Sequence, residues 1–397
     1  MPLPVFSLML VVFSFTTGEF VIAGILPDVA GDLSVSIPAA GLLVTAYALG
    51  MIVGGPVVTV LTARLPRKPL IVGLIAVSVA GNAGSTIAPN YPVLLAARFL
   101  AGLVVATFFA VAIATAISTA PAGKQGSTVA RLTLGMNLGI ILGTPIGTFI
   151  GHTLGWRATF ATVAAFSVAA LLLVLRSVPA QPATAGGSLL SELRVFAGRD
   201  VLLAIALTAV GNVGIVTVFS FIAPLLTDVS GFSPDAVPVL LLVYGTGAVA
   251  GNFLGGWLAD KALMPSLAGL LALLTGVLAL GRLVSGHQVS VVVLMFVLGM
   301  LAFAIIPGMQ TRVVATAGAA GAAPTLAVAV NASGFQLAAA FAGWLGGRVI
   351  SDGPGPRSIY LVGAVLTLAG LGIACYALRR DRRPAPAPAP RDQVAHP

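Results

Sequence analysis

Long apolar stretches separated by short polar turns fill most of this chain. A helix needs ~20 predominantly apolar residues to cross a bilayer. Twelve spans of that kind are predicted, at about 5–26, 39–61, 69–88, 93–117, 127–150, 156–176, 201–226, 236–258, 266–284, 289–311, 323–347 and 358–377. Gly and Pro recur inside them, as membrane helices allow when neighbours satisfy the freed backbone groups. A longer polar stretch, Ser177 to Asp200, separates spans 6 and 7 and holds Pro179, Pro182, Gly186 and Gly187. It reads as a linker whose second part, Ser188 to Arg199, has the makings of a short surface helix. After span 12 come the basic run Arg379–Arg383 and a Pro-Ala repeat from Pro384 to Pro390, read as a stop signal and an unstructured end. The expected organisation is an N-terminal half at 1–176, a linker at 177–200, a C-terminal half at 201–377 and a tail at 378–397.

The two halves resemble each other. Tyr47, Gly50, Gly54 and Leu61 recur 197 residues later as Tyr244, Gly247, Gly251 and Leu258. At the same offset Pro27 meets Pro224, Gly102 meets Gly299, and Arg64 meets Lys261. A chain of two similar sets of spans is the mark of one large class of secondary transporters.

Charge supports this reading and fixes an expected sidedness. Only 8% of residues are charged and 58% are hydrophobic, against roughly 25% charged in soluble domains. The net charge of +9 sits in short clusters between apolar runs, not along one face, which argues against nucleic acid. With the N-terminus inside, fifteen basic residues fall in inner segments and four (Arg157, Arg282, Arg348, Arg357) in outer ones. That bias predicts cytoplasmic termini. No Lys or Arg precedes Arg64, so the first span is expected to be retained and not cleaved as a signal peptide. A single cysteine, Cys375, and three scattered histidines leave no expected disulfide or metal site.

Few residues inside the spans can do chemistry. Glu19 is a carboxyl in span 1, ~12 Å below the outer surface counting back from Pro27. An ionisable group there costs ~2.5–3.5 kcal/mol to insert and so should face a cavity. A carboxyl that takes up and releases a proton at working pH is what a proton-coupled carrier needs. Arg98, the one basic residue deep in a span, lies ~9 Å from the outer surface, close to the depth of Glu19, so the two are expected to pair across the cavity. Asp28 is a candidate carboxylate at the mouth and, beside Glu19, a second candidate for the proton site. In span 5, Gly135, Gly139, Gly143, Gly147 and Gly151 line one helix face beside the bend expected at Pro145, which suggests a sliding or gating contact. Asn137, Asn212, Gln310, Asn331 and Gln336 are polar groups in apolar spans. They either line a substrate cavity, with Tyr47 and Tyr244, or serve as interhelical hydrogen-bond glue. The sequon Asn331-Ala332-Ser333 lies within a span and is discounted. No phosphate-binding loop, metal motif or nucleophile elbow is present, so neither ATP-driven transport nor an enzyme is expected.

These motifs resemble the major facilitator superfamily over about residues 5–377, and within it the twelve-span bacterial drug:proton antiporters. Arg98-Phe-Leu-Ala-Gly102 looks like the family's span-4 motif, and Gly139 to Gly147 looks like the antiporter motif of span 5. Gly256-Trp-Leu-Ala-Asp260-Lys261 looks like the second copy of its loop motif. The first copy departs from the pattern: Ala63 and Pro66 stand where Asp and Gly are expected, although Arg64, Arg67 and Lys68 remain. The opening Thr17-Gly-Glu19-Phe-Val-Ile-Ala-Gly-Ile-Leu-Pro27-Asp28 resembles the chloramphenicol-exporter and sugar-efflux branch. The resemblance implies an all-α fold of two six-helix bundles in the inner membrane, acting as a monomer without cofactors. It also implies export of a small organic compound against protons by alternating access, with Glu19 as proton carrier and Arg98 as its partner. Gly102, Gly139, Gly143, Pro145, Gly147, Asp260 and Lys261, with Arg64, Arg67 and Lys68, would serve conformational change. The alternatives are a sugar or nucleoside/purine exporter and, from another class, a non-transporting membrane sensor.

Overall fold

The computed structural model describes residues 2–62, 64–120, 125–180, 198–321, 324–353 and 355–381. Ala63, Lys124, most of the expected linker and the Pro-Ala tail fall outside them. Among the described residues twelve helical segments follow one another. α1 is Leu3–Phe20, continued after a break by Ile22–Asp32; α2 is Ile37–Thr62; α3 is Arg67–Ile87. α4 comprises Tyr91–Leu103 and Val105–Thr119. α5 comprises Gln125–Leu138, a π-helical turn at Gly139–Gly143, and Thr144–Leu154; α6 is Trp156–Ser177. α7 runs from Arg199 to Ser220 and on through Ile222–Pro224. Pro224 cannot donate to the carbonyl of Ser220, and the helix breaks at Phe221 (φ −112°, ψ 26°). α8 (237–261) and α9 (263–284) form one stretch, Val237–Val284, whose backbone leaves the helix only at Ala262 (φ −158°, ψ 79°). The loop expected between spans 8 and 9 is thus reduced to one residue, and Asp260 and Lys261 stand at the end of a helix. α10 is Gln288–Ala319, α11 Pro324–Ser351 and α12 Ser358–Asp381. Ten described helices are long and apolar enough to cross a membrane, and one of these contains both α8 and α9.

The internal repeat has an atomic meaning. In the first half a Cβ at Gly50 would strike the carbonyl of Phe99, at Gly54 that of Leu103, and at Gly102 that of Tyr47. In the second half Gly247, Gly251 and Gly299 stand in the same relation to Phe296, Met300 and Tyr244. Each partner is also displaced by 197 residues. The glycines recur because α2 against α4, and α8 against α10, pack backbone to backbone, which only a residue without a side chain allows.

The apolar core shows how the halves meet. One cluster joins Ile22, Ile25, Leu26, Val29 and Leu43 of the first half to Phe219, Phe221, Ile222, Leu240 and Leu241 of the second. These first-half residues all lie toward the end of the bundle opposite the chain termini, here the distal end. Toward the terminal end two separate clusters each stay within one half: Leu8, Val11, Phe15, Ile71, Phe108 and Val174 in the first, and Val201, Ala204, Val313, Ala317 and Ala327 in the second. The described residues therefore form an arrangement joined at the distal end.

Candidate functional site

The seam between the halves is built on α2 and α11. Gly41, Thr45 and Ala48 of α2 face Ala340, Gly343 and Gly347 of α11, small residues that let the helices touch. Thr45 Oγ1 donates to the carbonyl of Ala340 at 2.8 Å. One turn before Ala340, and so on the same side of α11, stands Gln336. Its Nε2 donates to Oε1 of Glu19 at 2.8 Å, a bond between residues 317 apart in sequence. Gln336 is buried, Glu19 half-buried, and Oε1 of Gln336 has no hydrogen-bond partner among the described residues. Beside this bond Phe20 meets Phe219 edge-on across the seam at 5.8 Å, and Phe219 meets Tyr244 at 5.0 Å.

Glu19 is positioned by the glycine face of α5. Cβ atoms at Gly135, Gly139, Gly143, Gly147 and Gly151 would meet Met9, Phe13 and Thr16, Thr17, Val21 and Ile25 of α1 in turn. The spacing of four on both helices makes this a parallel zipper, with Glu19 between its third and fourth contacts. The π-helical turn lies in the middle of it. Pro145 has no N–H to give to Ile141, and the amide of Thr144 reaches back to the carbonyl of Gly139 instead, widening the helix by one residue.

Arg98 is fully buried, yet it does not form the expected ion pair with Glu19. Its guanidinium carbon lies 4.4 Å from the centre of the Tyr47 ring and 5.4 Å from that of Phe160. Nε and both terminal nitrogens lack a hydrogen-bond partner among the described residues. Tyr47 in turn donates to the carbonyl of Phe15 at 3.3 Å. Glu19 and Arg98 remain within each other's electrostatic reach. Depth along two helices fixes the height of a residue and not the direction it faces, so equal depths do not amount to contact.

The other candidates divide. Asp28 stands apart from Glu19, two and a half turns further along α1, with Oδ2 at 3.1 Å from Nδ1 of His152. Asn212 donates to the carbonyl of Thr208 at 2.7 Å and to the sulfur of Met309 at 3.1 Å; Asn331 accepts from Thr208 Oγ1 at 2.8 Å. Both are thus engaged inside the second half, linking α7 to α10 and α11. Asn137 is half-buried on α5. At the terminal end Arg67 donates to Ser118 Oγ at 3.1 Å, near the end of α4, and Lys68 to the carbonyl of Leu175 at 2.8 Å, near the end of α6. Each cation so meets a helix C-terminus, where the partial charge is negative. Arg64 and Asp260 are exposed, and the Lys261 ammonium lies 3.8 Å from the centre of the Trp257 ring. Among the described residues no His, Cys, Asp and Glu side chains gather as a metal site.

A cluster at the distal end is missed by the sequence reading. Asp32 accepts from Trp156 Nε1 at 3.1 Å and pairs with Arg157, whose Nη2 donates to the carbonyl of Ala88 at 3.1 Å. The Arg157 bond, then that of Trp156, holds the Asp32 carboxyl below the ordinary carboxylate range. Its sequence signal is the spacing Asp28–Asp32, which puts two acids on one helix face.

Comparison with known proteins agrees with this architecture. The model of the Major Facilitator Superfamily matches residues 8–327. An uncharacterized MFS-type transporter of Bacillus subtilis, YfhI, is 34% identical over 96% of this chain and 95% of its own length. The inner membrane transport protein YdhP of Escherichia coli is 34% identical over 96% and 97%. A chloramphenicol resistance protein of Streptomyces lividans is 39% identical over 86% and 89%. Among solved structures, a bacterial homolog of the human lysosomal transporter Spinster, inward-facing and unoccupied, superposes with a TM-score of 0.75 at 17% identity. That match covers 97% of this chain and 98% of the other. Twin six-helix halves, their glycine-lined contacts and this kinship together place the chain in the Major Facilitator Superfamily, as a multi-pass membrane transporter.

Proposed function

We propose that this transporter exports a small, neutral or weakly polar organic compound, of the amphenicol type, in exchange for protons. The observation that carries this reading is the Glu19–Gln336 bond. An acid that can bind a proton sits where the two halves meet, tied to the half that must move away in alternating access. Arg98, buried on the Tyr47 ring nearby, supplies the positive field that a change of conformation would strengthen or weaken at the carboxyl. The aromatic side chains at the seam and the scarcity of other charges suit an uncharged substrate. The kinship with a chloramphenicol resistance protein supports the substrate class.

The proposed setting is the inner membrane with both termini cytoplasmic, following the distribution of basic residues. The distal end is then the outer end, and the arrangement described above is closed to the outside. The protein works as a monomer, with substrate, protons and lipid as its partners. The test uses proteoliposomes enclosing a pH-sensitive dye, with chloramphenicol as the probe. Wild type should accumulate chloramphenicol when a proton gradient is imposed, and move protons when chloramphenicol is added. Glu19→Gln should insert normally and lose both responses. Chloramphenicol accumulation by Glu19→Gln that still follows the gradient would remove Glu19 from the coupling.

A further inference from the structure

The bond partner of Glu19 raises a question of its own. A carboxylate only accepts hydrogen bonds, and a carboxylic acid also donates one. A partner with donors alone, such as Lys, leaves the O–H of the acid without an acceptor, and a partner with acceptors alone has nothing to receive from the carboxylate. Gln336 carries both functions on one planar group. Its NH2 now faces Glu19 Oε1 at 2.8 Å, as suits a carboxylate. Its carbonyl oxygen is buried without a partner among the described residues. Turning the amide by half a rotation would present that oxygen to a protonated Glu19 and exchange the roles of donor and acceptor.

The backbone beneath Gln336 is held firmly. Thr45 bonds the carbonyl of Ala340 one turn away, and Gly343 and Gly347 press α11 onto α2. The amide can turn while its helix stays in place. Among the described residues Arg98 of α4 and Tyr47 of α2 are ionisable side chains within electrostatic reach of Glu19, and neither is hydrogen-bonded to it. Among the described residues Gln336 is therefore the side chain that answers directly to the protonation of Glu19.

We infer that Gln336 is the positioning residue of the proton site, an amide of the second half that holds the Glu19 carboxyl at the seam as donor when it is ionised and as acceptor when it is protonated. This rests on the reading of Glu19 as the proton carrier. It adds that the proton is sensed by the second half through one side chain, and not only by the first half through Arg98.

The test needs no transport substrate. Protein in lipid nanodiscs is titrated with pH while infrared difference spectroscopy follows the carboxylic C=O stretch, and the band lost in Glu19→Gln is assigned to Glu19. Gln336→Met keeps the length of the side chain and removes both hydrogen-bonding functions. The Glu19 band should then move to the higher frequency of an unbonded acid, and its titration midpoint should move to alkaline pH by about half a unit or more. Gln336→Glu, which keeps a polar group should the Met variant fold poorly, should split the titration into two steps, because two carboxyls at hydrogen-bond distance share one proton. If the assigned band keeps its wild-type frequency and midpoint in Gln336→Met, or titrates in one unshifted step in Gln336→Glu, the inference is overturned while the proton-site reading stands. If Glu19→Gln removes no titrating band, both fall together.

Discussion

Gly343→Ala should unbalance the two conformations without harming either half. A Cβ at Gly343 would lie 2.5 Å from Thr45 Oγ1 and 2.7 Å from the carbonyl oxygen of Gly41. Ordinary carbon contacts lie near ~3.5 Å, so α11 must retreat from α2 by about 1 Å. Both neighbours belong to the opposite half, and one of them, Thr45, holds the hydrogen bond to Ala340 that the retreat would stretch. Overpacking of this kind costs ~1–3 kcal/mol. The clash exists only while the distal ends are joined, so the whole cost falls on that arrangement. It converts to a population shift of about 5- to 150-fold toward the arrangement opened there. Gly50→Ala is the control. Its Cβ would strike the Phe99 carbonyl, a contact made wholly within the first half, so it should lower the melting temperature without a shift. With Cys375 replaced by Ala, spin labels at Thr153 and Asp235, both exposed at the distal end on opposite halves, report the separation by double electron–electron resonance. A wild-type distance distribution in Gly343→Ala, or an equal shift in Gly50→Ala, would refute the reasoning.

Two further outcomes are expected. Arg98→Lys keeps the charge but loses the flat guanidinium stacked on Tyr47 and Phe160, a contact worth up to ~2 kcal/mol when desolvated. Proton-coupled uptake in proteoliposomes should fall about tenfold or more, and full activity would show that charge alone suffices. For the distal cluster, Arg157 depresses the Asp32 carboxyl in the folded state, so the pair stabilises the fold above the ordinary Asp value of ~3.9 and ceases to as pH falls through the depressed one. Because the pair is nearly half exposed, with side-chain exposures of 39% and 48%, the effect should stay within the ~0–1 kcal/mol of surface pairs. Asp32→Asn should lower the melting temperature slightly at neutral pH and match wild type in strong acid; curves that differ equally at all pH values would contradict this.

Much of this protein is legible in its sequence, for a physical reason. A bilayer forces each crossing segment to satisfy its own backbone, so length and hydropathy alone mark the spans. Backbone-to-backbone packing admits only glycine, so the repeat of Gly50, Gly54 and Gly102 as Gly247, Gly251 and Gly299 reports helix contacts directly. The glycines of α5 likewise announced a close neighbour, though not that it would be α1. What the sequence could not supply is which way a side chain faces and what comes to meet it. Glu19 and Arg98 share a depth, yet one turns to the seam and the other onto aromatic rings. Asn212, Asn331 and Gln336 look alike as polar groups in apolar spans. The first two are engaged within the second half, and the third reaches the proton-site candidate, because each depends on its azimuth about a helix and on the docking of two halves. The bond between Glu19 and Gln336 joins groups 317 residues apart, and no local pattern encodes it. Tertiary structure alone decided that contact, because it exists only where α2 and α11 bring the two halves together.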